Sequence, residues 1–145
     1  MNHYIKTEVN KIVNQYKTRD VYELIDKLDI MLLRVPLHPS VNGMYQYFKR
    51  NKIIYLNDEL DTIMERHVLA HELGHAILHP KINITYLESN TFYSKEKIEI
   101  AANTFAAELL IKDSLFDEYK HHTIEEMAAI ENLPIELIKI KLNYI

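Results

Sequence analysis

The chain has no cysteine, only two glycines and only four prolines among its 145 residues. Without cysteine there is no disulfide framework and no thiolate metal site, so any bound metal must rest on His, Asp or Glu. The lack is compatible with a reducing compartment. No apolar run approaches the ~20 residues that a membrane span needs. Met1 to Lys11 mixes His3, Lys6, Glu8 and Lys11 among its apolar residues, so no signal-peptide core forms there. The expected location is therefore cytoplasmic, with no membrane partner. Basic residues are outnumbered, 17 Lys and Arg against 21 Asp and Glu. The formal net charge of −4 argues against direct nucleic-acid binding as the main task.

What is present fits one compact domain over residues 1–145, with a core at about 20–112 and a helical extension at 113–145. Apolar residues make up 48% and charged residues 26%, ordinary values for a globular chain. Ile5 to Tyr16 reads as an amphipathic helix. Asp20 with Glu23 has capping-box spacing and opens a second helix through about Leu28. Ile30 to Val35 reads as a strand ended by Pro36. Gly43 to Phe48 and Lys52 to Leu56 flank Lys49-Arg50-Asn51, which predicts a hairpin. Asp61 or Thr62 caps a helix that runs to His79 and stops at Pro80. Lys81 to Tyr93 reads as a loop. Ser94 caps a helix to about Ile111, Thr123 with Glu126 opens one to about Glu131, and Pro134 opens the last, to about Leu142. Helices, a small antiparallel or mixed sheet, then helices make an α+β arrangement.

The chemistry-bearing run is His71-Glu72-Leu73-Gly74-His75. On a helix, residues four apart lie about 6 Å apart along the axis and about 40° around it, so both imidazoles can reach one ion. Glu72 then projects beside the metal. This is HExxH logic, with two His ligands and the intervening Glu as general base for a water whose pKa zinc lowers toward ~7. The competing reading is a helix with exposed histidines; the apolar Val68, Leu69, Leu73, Ile77 and Leu78 around the motif favour the first. His67 and His79 extend the spacing, but the ends of that stripe lie about 18 Å apart and cannot share one ion. Neither outer pair has a Glu after its first His. His67 reads as a surface or packing residue, and His79 as a helix-end residue favoured by the dipole. Gly74 costs about 1 kcal/mol in mid-helix. Either a strand or substrate backbone passes close to it, or a neighbouring helix does.

A catalytic zinc usually takes a third protein ligand plus water. Downstream candidates are Glu88, Glu96, Glu99 and Glu108. Spacing favours Glu99, 24 residues beyond His75 and followed by the small Ala101 and Ala102 that permit close helix approach. Glu96 is its main competitor. Asn103, one turn after Glu99, is placed to orient a ligand His through its free ring nitrogen.

Taken together, His71 to His79 (HELGHAILH) and Glu99 to Leu110 (EIAANTFAAELL) resemble the ImmA/IrrE family of metallopeptidases over roughly Val21 to Lys112. The second stretch is the more distinctive. One departure is Lys112-Asp113, where many members have Met-Pro; it bears on how the helix ends and not on the metal. The resemblance implies a zincin-like fold, zinc held by His71, His75 and Glu99, and Glu72 as catalytic base. It also implies a mobile-element or phage-type member whose substrate is a helix-turn-helix transcriptional repressor. A non-catalytic binding protein on the same fold is the alternative, and an intact Glu72 argues against it. A substrate strand could add at Tyr45–Tyr47 or at Ile53–Tyr55, although ordinary sheet packing explains those segments equally well. Thr123 to Leu142 reads either as a closing helical pair or as a partner-binding helix-turn-helix-like element. Glu125, Glu126, Glu131 and Glu136 make the latter too acidic for DNA.

Overall fold

The computed structural model describes residues 2–83 and 95–143. Helix α1 is Asn2–Tyr16 and α2 is Val21–Lys27. Three strands follow, β1 (Met31–Val35), β2 (Gly43–Phe48) and β3 (Asn51–Asn57). Then come α3 (Thr62–Leu78), α4 (Lys95–Leu110), the short α5 (Leu115–Glu118), α6 (Ile124–Glu131) and α7 (Ile135–Leu142). Polar side chains open helices where the sequence predicts. Asp20 accepts from the amides of Tyr22 and Glu23, Asp61 accepts from Met64, and Thr123 with Glu126 forms a reciprocal capping box. Pro134 sits one position before the last helix and not within its first turn. Ser94, the expected cap of α4, and most of the Lys81–Tyr93 loop lie outside the described residues.

The sheet is mixed, in the order β1-β3-β2. β1 runs parallel to β3, with Leu32 opposite Ile54, and β2 runs antiparallel to it, with Tyr45 opposite Ile54. The hairpin turn is two residues, Lys49-Arg50, because Asn51 already pairs with Phe48. Both turn residues take positive φ, 49° and 67°, as a primed hairpin turn demands. Leu32, Ile54, Leu56 and Tyr45 share the face that meets the helices, whereas Met31, Leu33, Met44 and Phe48 are exposed on the other face.

The α+β reading therefore holds. The hydrophobic core is one cluster reaching from Ile5 and Val9 through Ile54, Leu73 and Phe105 to Leu137 and Ile138. At its lower side Lys141 is 2% exposed; its ammonium meets Glu108 and Asp113 at 2.6 Å each, and Lys6 meets Asp113. Arg19 donates to the carbonyls of Glu108 and Leu109, which closes the end of α4. Among the described residues no helix is long and apolar enough to cross a membrane.

Candidate metal centre

Helices α3 and α4 pack antiparallel, and the fit is close because Gly74 has no side chain. A Cβ there would stand 3.1 Å from Ala102 Cα, from Ala102 O and from Phe105 Cβ. The mid-helix glycine thus answers to a neighbouring helix, not to a strand or substrate. Gly43 does the same on the other side of α3. A Cβ there would fall 2.8 Å from Val68 Cγ1 and 3.4 Å from Glu72 Cγ, so β2 lies directly against the HExxH turn.

The packing brings three donors together. His71 Nε2 lies 3.0 Å and His75 Nε2 3.1 Å from the two carboxylate oxygens of Glu99, and the two ring nitrogens are 3.2 Å apart. Donor atoms around a tetrahedral divalent ion with ~2.0–2.1 Å bonds stand about 3.3 Å from each other, so the set fits such an ion. His71 Nδ1 donates to Asn103 Oδ1 at 2.7 Å. In the neutral ring that bond fixes the tautomer whose Nε2 lone pair faces the centre. Glu72 also belongs to the cluster, its donor atom within 4.8 Å of those of His71 and His75. Glu99 is the nearer of the two carboxylates to both rings. Glu96 is exposed on α4, Glu108 is committed to Lys141, and Glu88 lies outside the described residues.

The electrostatics suit a cation. Hydrogen bonds from His71 and then His75 hold the Glu99 carboxyl far below the usual carboxylate range. Burial opposes charge on His71, but the Glu99 hydrogen bond and the nearby Glu72 charge outweigh it and raise its pKa. Glu72 is 4% exposed, and burial pushes its carboxyl up against the pull of the two histidines.

The other motif histidines lie outside this cluster. His67 is buried, and its Nε2 meets Asn132 O at 3.0 Å; of the two readings, packing is the one the structure supports. His79 is half-buried at the end of α3, where burial, helped by His75, lowers its pKa. Its place as the C-cap of α3 agrees with the helix-end reading.

Around the centre lies a cavity of about 770 Å³ lined by the 40–45 segment, α3, α4 and the α6–α7 turn. Beside it runs the outer edge of β2. Met44 and Phe48 pair with β3, so the main chains of Gly43, Tyr45 and Tyr47 face outward. Asn83 occupies the Tyr47 position, accepting from its N–H at 2.8 Å and donating to its carbonyl. Tyr45 donates its hydroxyl to Pro80 O, and burial pushes its pKa up to about 12, so it stays protonated. Ile53–Tyr55 lies in the central strand, and as a strand-addition edge it is corrected. No local pattern announces Pro134 and Leu137 in the cavity wall, since the contact that brings them there spans 65 residues, from His67 to Asn132.

A helix carrying two convergent histidines with a buried glutamate between them, met by a carboxylate from a second helix, has the pattern of the HExxH class of metal centre. Within that class the chain belongs to the peptidase M78 family, the IrrE N-terminal-like domain, whose pattern matches residues 25–143. Over 139 residues it is 39% identical to uncharacterized immunity region protein 2 of Bacillus phage phi105, covering 94% of this chain and 88% of that one. Over 147 residues it is 31% identical to metallopeptidase ImmA of Bacillus subtilis (strain 168), covering 97% and 85%. It is a member of a metallopeptidase family, and the match extends past the Val21–Lys112 span of the sequence resemblance into the C-terminal helices.

Proposed function

We propose that this protein is a cytoplasmic zinc-dependent endopeptidase that hydrolyses a peptide bond in a helix-turn-helix transcriptional repressor of a phage or mobile element. The observation that carries the reading is the convergence of His71 Nε2, His75 Nε2 and the Glu99 carboxylate at 3.0–3.2 Å, with Glu72 buried beside them. On this reading those three hold the metal and Asn103 orients His71. Zinc, when bound, would supply Lewis acidity, polarising the scissile carbonyl and acidifying water. Glu72 moves the proton. Buried beside the two histidines, its carboxylate is placed to accept the proton of the attacking water and then to deliver it to the leaving amine. The outward main chain of Gly43 and Tyr45 offers a short rail for the substrate backbone.

The names of the phage and Bacillus relatives support a role in an immunity region. The competing reading, a non-catalytic binder, leaves unexplained why a carboxylate is buried where a base would stand, at a substantial desolvation cost. The test is Glu72→Gln, co-expressed with the repressor encoded nearest the gene. It should retain one zinc per chain and lose cleavage. Cleavage by the variant would refute the base assignment. A zinc-loaded wild type that binds the repressor and leaves it intact would favour the binder.

A further inference from the structure

The cavity has two chemically different ends. Along α3 its lining runs from Glu72 and His71 back to Val68 and His67; along α4 it runs from Glu99 through Asn103 to Ala106. Because the two helices are antiparallel, both runs leave the metal centre in the same direction, one reaching Val68 and His67 and the other Ala106. One helical turn, about 6 Å from His71, the helices contribute Val68 and Ala106 beside His67, and the lining also takes in Val41, Pro134 and Leu137.

The last two come from the C-terminal pair, which α3 itself holds in place. His67 is 8% exposed, and its Nε2–H donates to Asn132 O at 3.0 Å, two residues before Pro134. Asn132 is in the left-handed conformation (φ 55°), so this carbonyl ends α6 and starts the turn. The other ring nitrogen of His67 is buried with no partner among the described residues. A cost of that kind is tolerated where the ring's place is fixed by a purpose other than its own solvation.

We infer that the α6–α7 turn is the specificity wall of the site. With Val41 it forms an apolar subsite for a branched aliphatic side chain of the substrate, next to the bond cut at the metal. His67 is a positioning residue that fixes this wall one turn from His71. The inference rests on the metal-dependent peptidase reading, since continuity with the metal centre is what assigns the occupant. An acidic side chain is disfavoured there by the nearby Glu72 carboxylate; Lys95, the lysine of the lining, precedes Glu99 on α4, whereas Asn103 and Ala106 follow it.

Hydroxamates anchored on zinc report the subsite without turnover. Three are compared on the zinc-loaded full-length protein: acetohydroxamate, 4-methylpentanohydroxamate, and succinic monohydroxamate, which places a carboxylate where the second has its isopropyl group. The branched probe should bind at least about tenfold tighter than either other, given ~0.8 kcal/mol per buried methylene and incomplete burial. Val41→Phe and Leu137→Phe narrow the subsite from the 40–45 segment and from α7 respectively. Each should cut that advantage to within about threefold and leave acetohydroxamate affinity within about twofold. Val41 is partly exposed in a loop, so its variant keeps the test valid if the variant of the buried Leu137 folds poorly. Methyl NMR shifts on binding should centre on Val41, Val68 and Leu137. Equal affinity for all three probes, or an advantage that survives both substitutions, overturns the subsite with the metal centre intact. Failure of acetohydroxamate to bind the zinc-loaded protein overturns the metal-centre reading, and the subsite with it.

Discussion

Replacing Gly74 by Ala tests whether the spacing of two helices sets the metal geometry. The new Cβ would meet Ala102 Cα, Ala102 O and Phe105 Cβ at 3.1 Å each. Ordinary carbon contacts lie at about 3.5–4.0 Å, so α4 must retreat by roughly 0.4 Å or more. Two of the three obstacles are backbone atoms and the third is tied directly to it, so no rotamer change relieves them. Alanine returns about 1 kcal/mol of helix propensity, while overpacking costs about 1–3 kcal/mol. The net loss of stability is then only about 0–2 kcal/mol, or at most some 8 °C in Tm for a domain of this size. The metal responds more sharply, because His71 and His75 sit on α3 and Glu99 on α4, and ligand bonds tolerate only about 0.2 Å. Zinc affinity should fall about tenfold or more. Competition with a chromophoric chelator measures it, and thermal unfolding of apo and zinc-loaded protein should show a smaller zinc-induced rise in the variant. Zinc affinity within about twofold of wild type, together with a higher apo Tm, would show that Gly74 does not set this distance.

Two further perturbations probe other parts of the fold. Arg50→Gly should stabilise by about 0.5–1 kcal/mol, because a left-handed non-glycine residue costs about 1–2 kcal/mol and glycine returns part of that as unfolded-state entropy; an unchanged or lower Tm would contradict a strained turn. Hydrogen bonds from Lys141 and then Lys6 lower the Asp113 pKa from 3.8 to about 2. The stability this contributes is complete above the unfolded value of 3.8 and drains away as pH falls toward 2. Asp113→Asn should therefore lose less stability than wild type between about pH 5 and pH 3 in urea titrations. Equal losses would mean the pairs are screened away, as an exposed carboxylate allows.

What the sequence shows most clearly is whatever it encodes locally. Helix starts are legible at Asp20, Asp61 and Thr123 because a cap acts within three residues. The four-residue spacing of His71 and His75 is enough to place both rings on one side of a helix. The approach of α4 can be guessed from Ala101 and Ala102, small residues beside the expected ligand. Contacts between distant segments leave no comparable trace. That β1 pairs with β3 and not with β2 depends on a parallel register no turn signal encodes. The burial of Glu108 depends on Lys141, 33 residues away. The turn at Lys49-Arg50 lacks the Asn-Gly or Gly residues that normally announce it, so its two-residue length cannot be read from the residues alone.

The Asn83 amide on Tyr47 has an effect beyond closing a pair of hydrogen bonds. By standing in for a missing strand, it leaves about two residues' length, some 7 Å, of usable rail between Gly43 and Tyr45. A chain gripped over so short a stretch gains little from main-chain pairing, which every polypeptide offers alike. Discrimination then falls to side chains and to the three-dimensional shape of the target, and an arbitrary unfolded protein finds poor purchase. The same blunting discourages two copies from zipping together through their sheets. On the peptidase reading, selectivity is set in part by how little edge the sheet exposes.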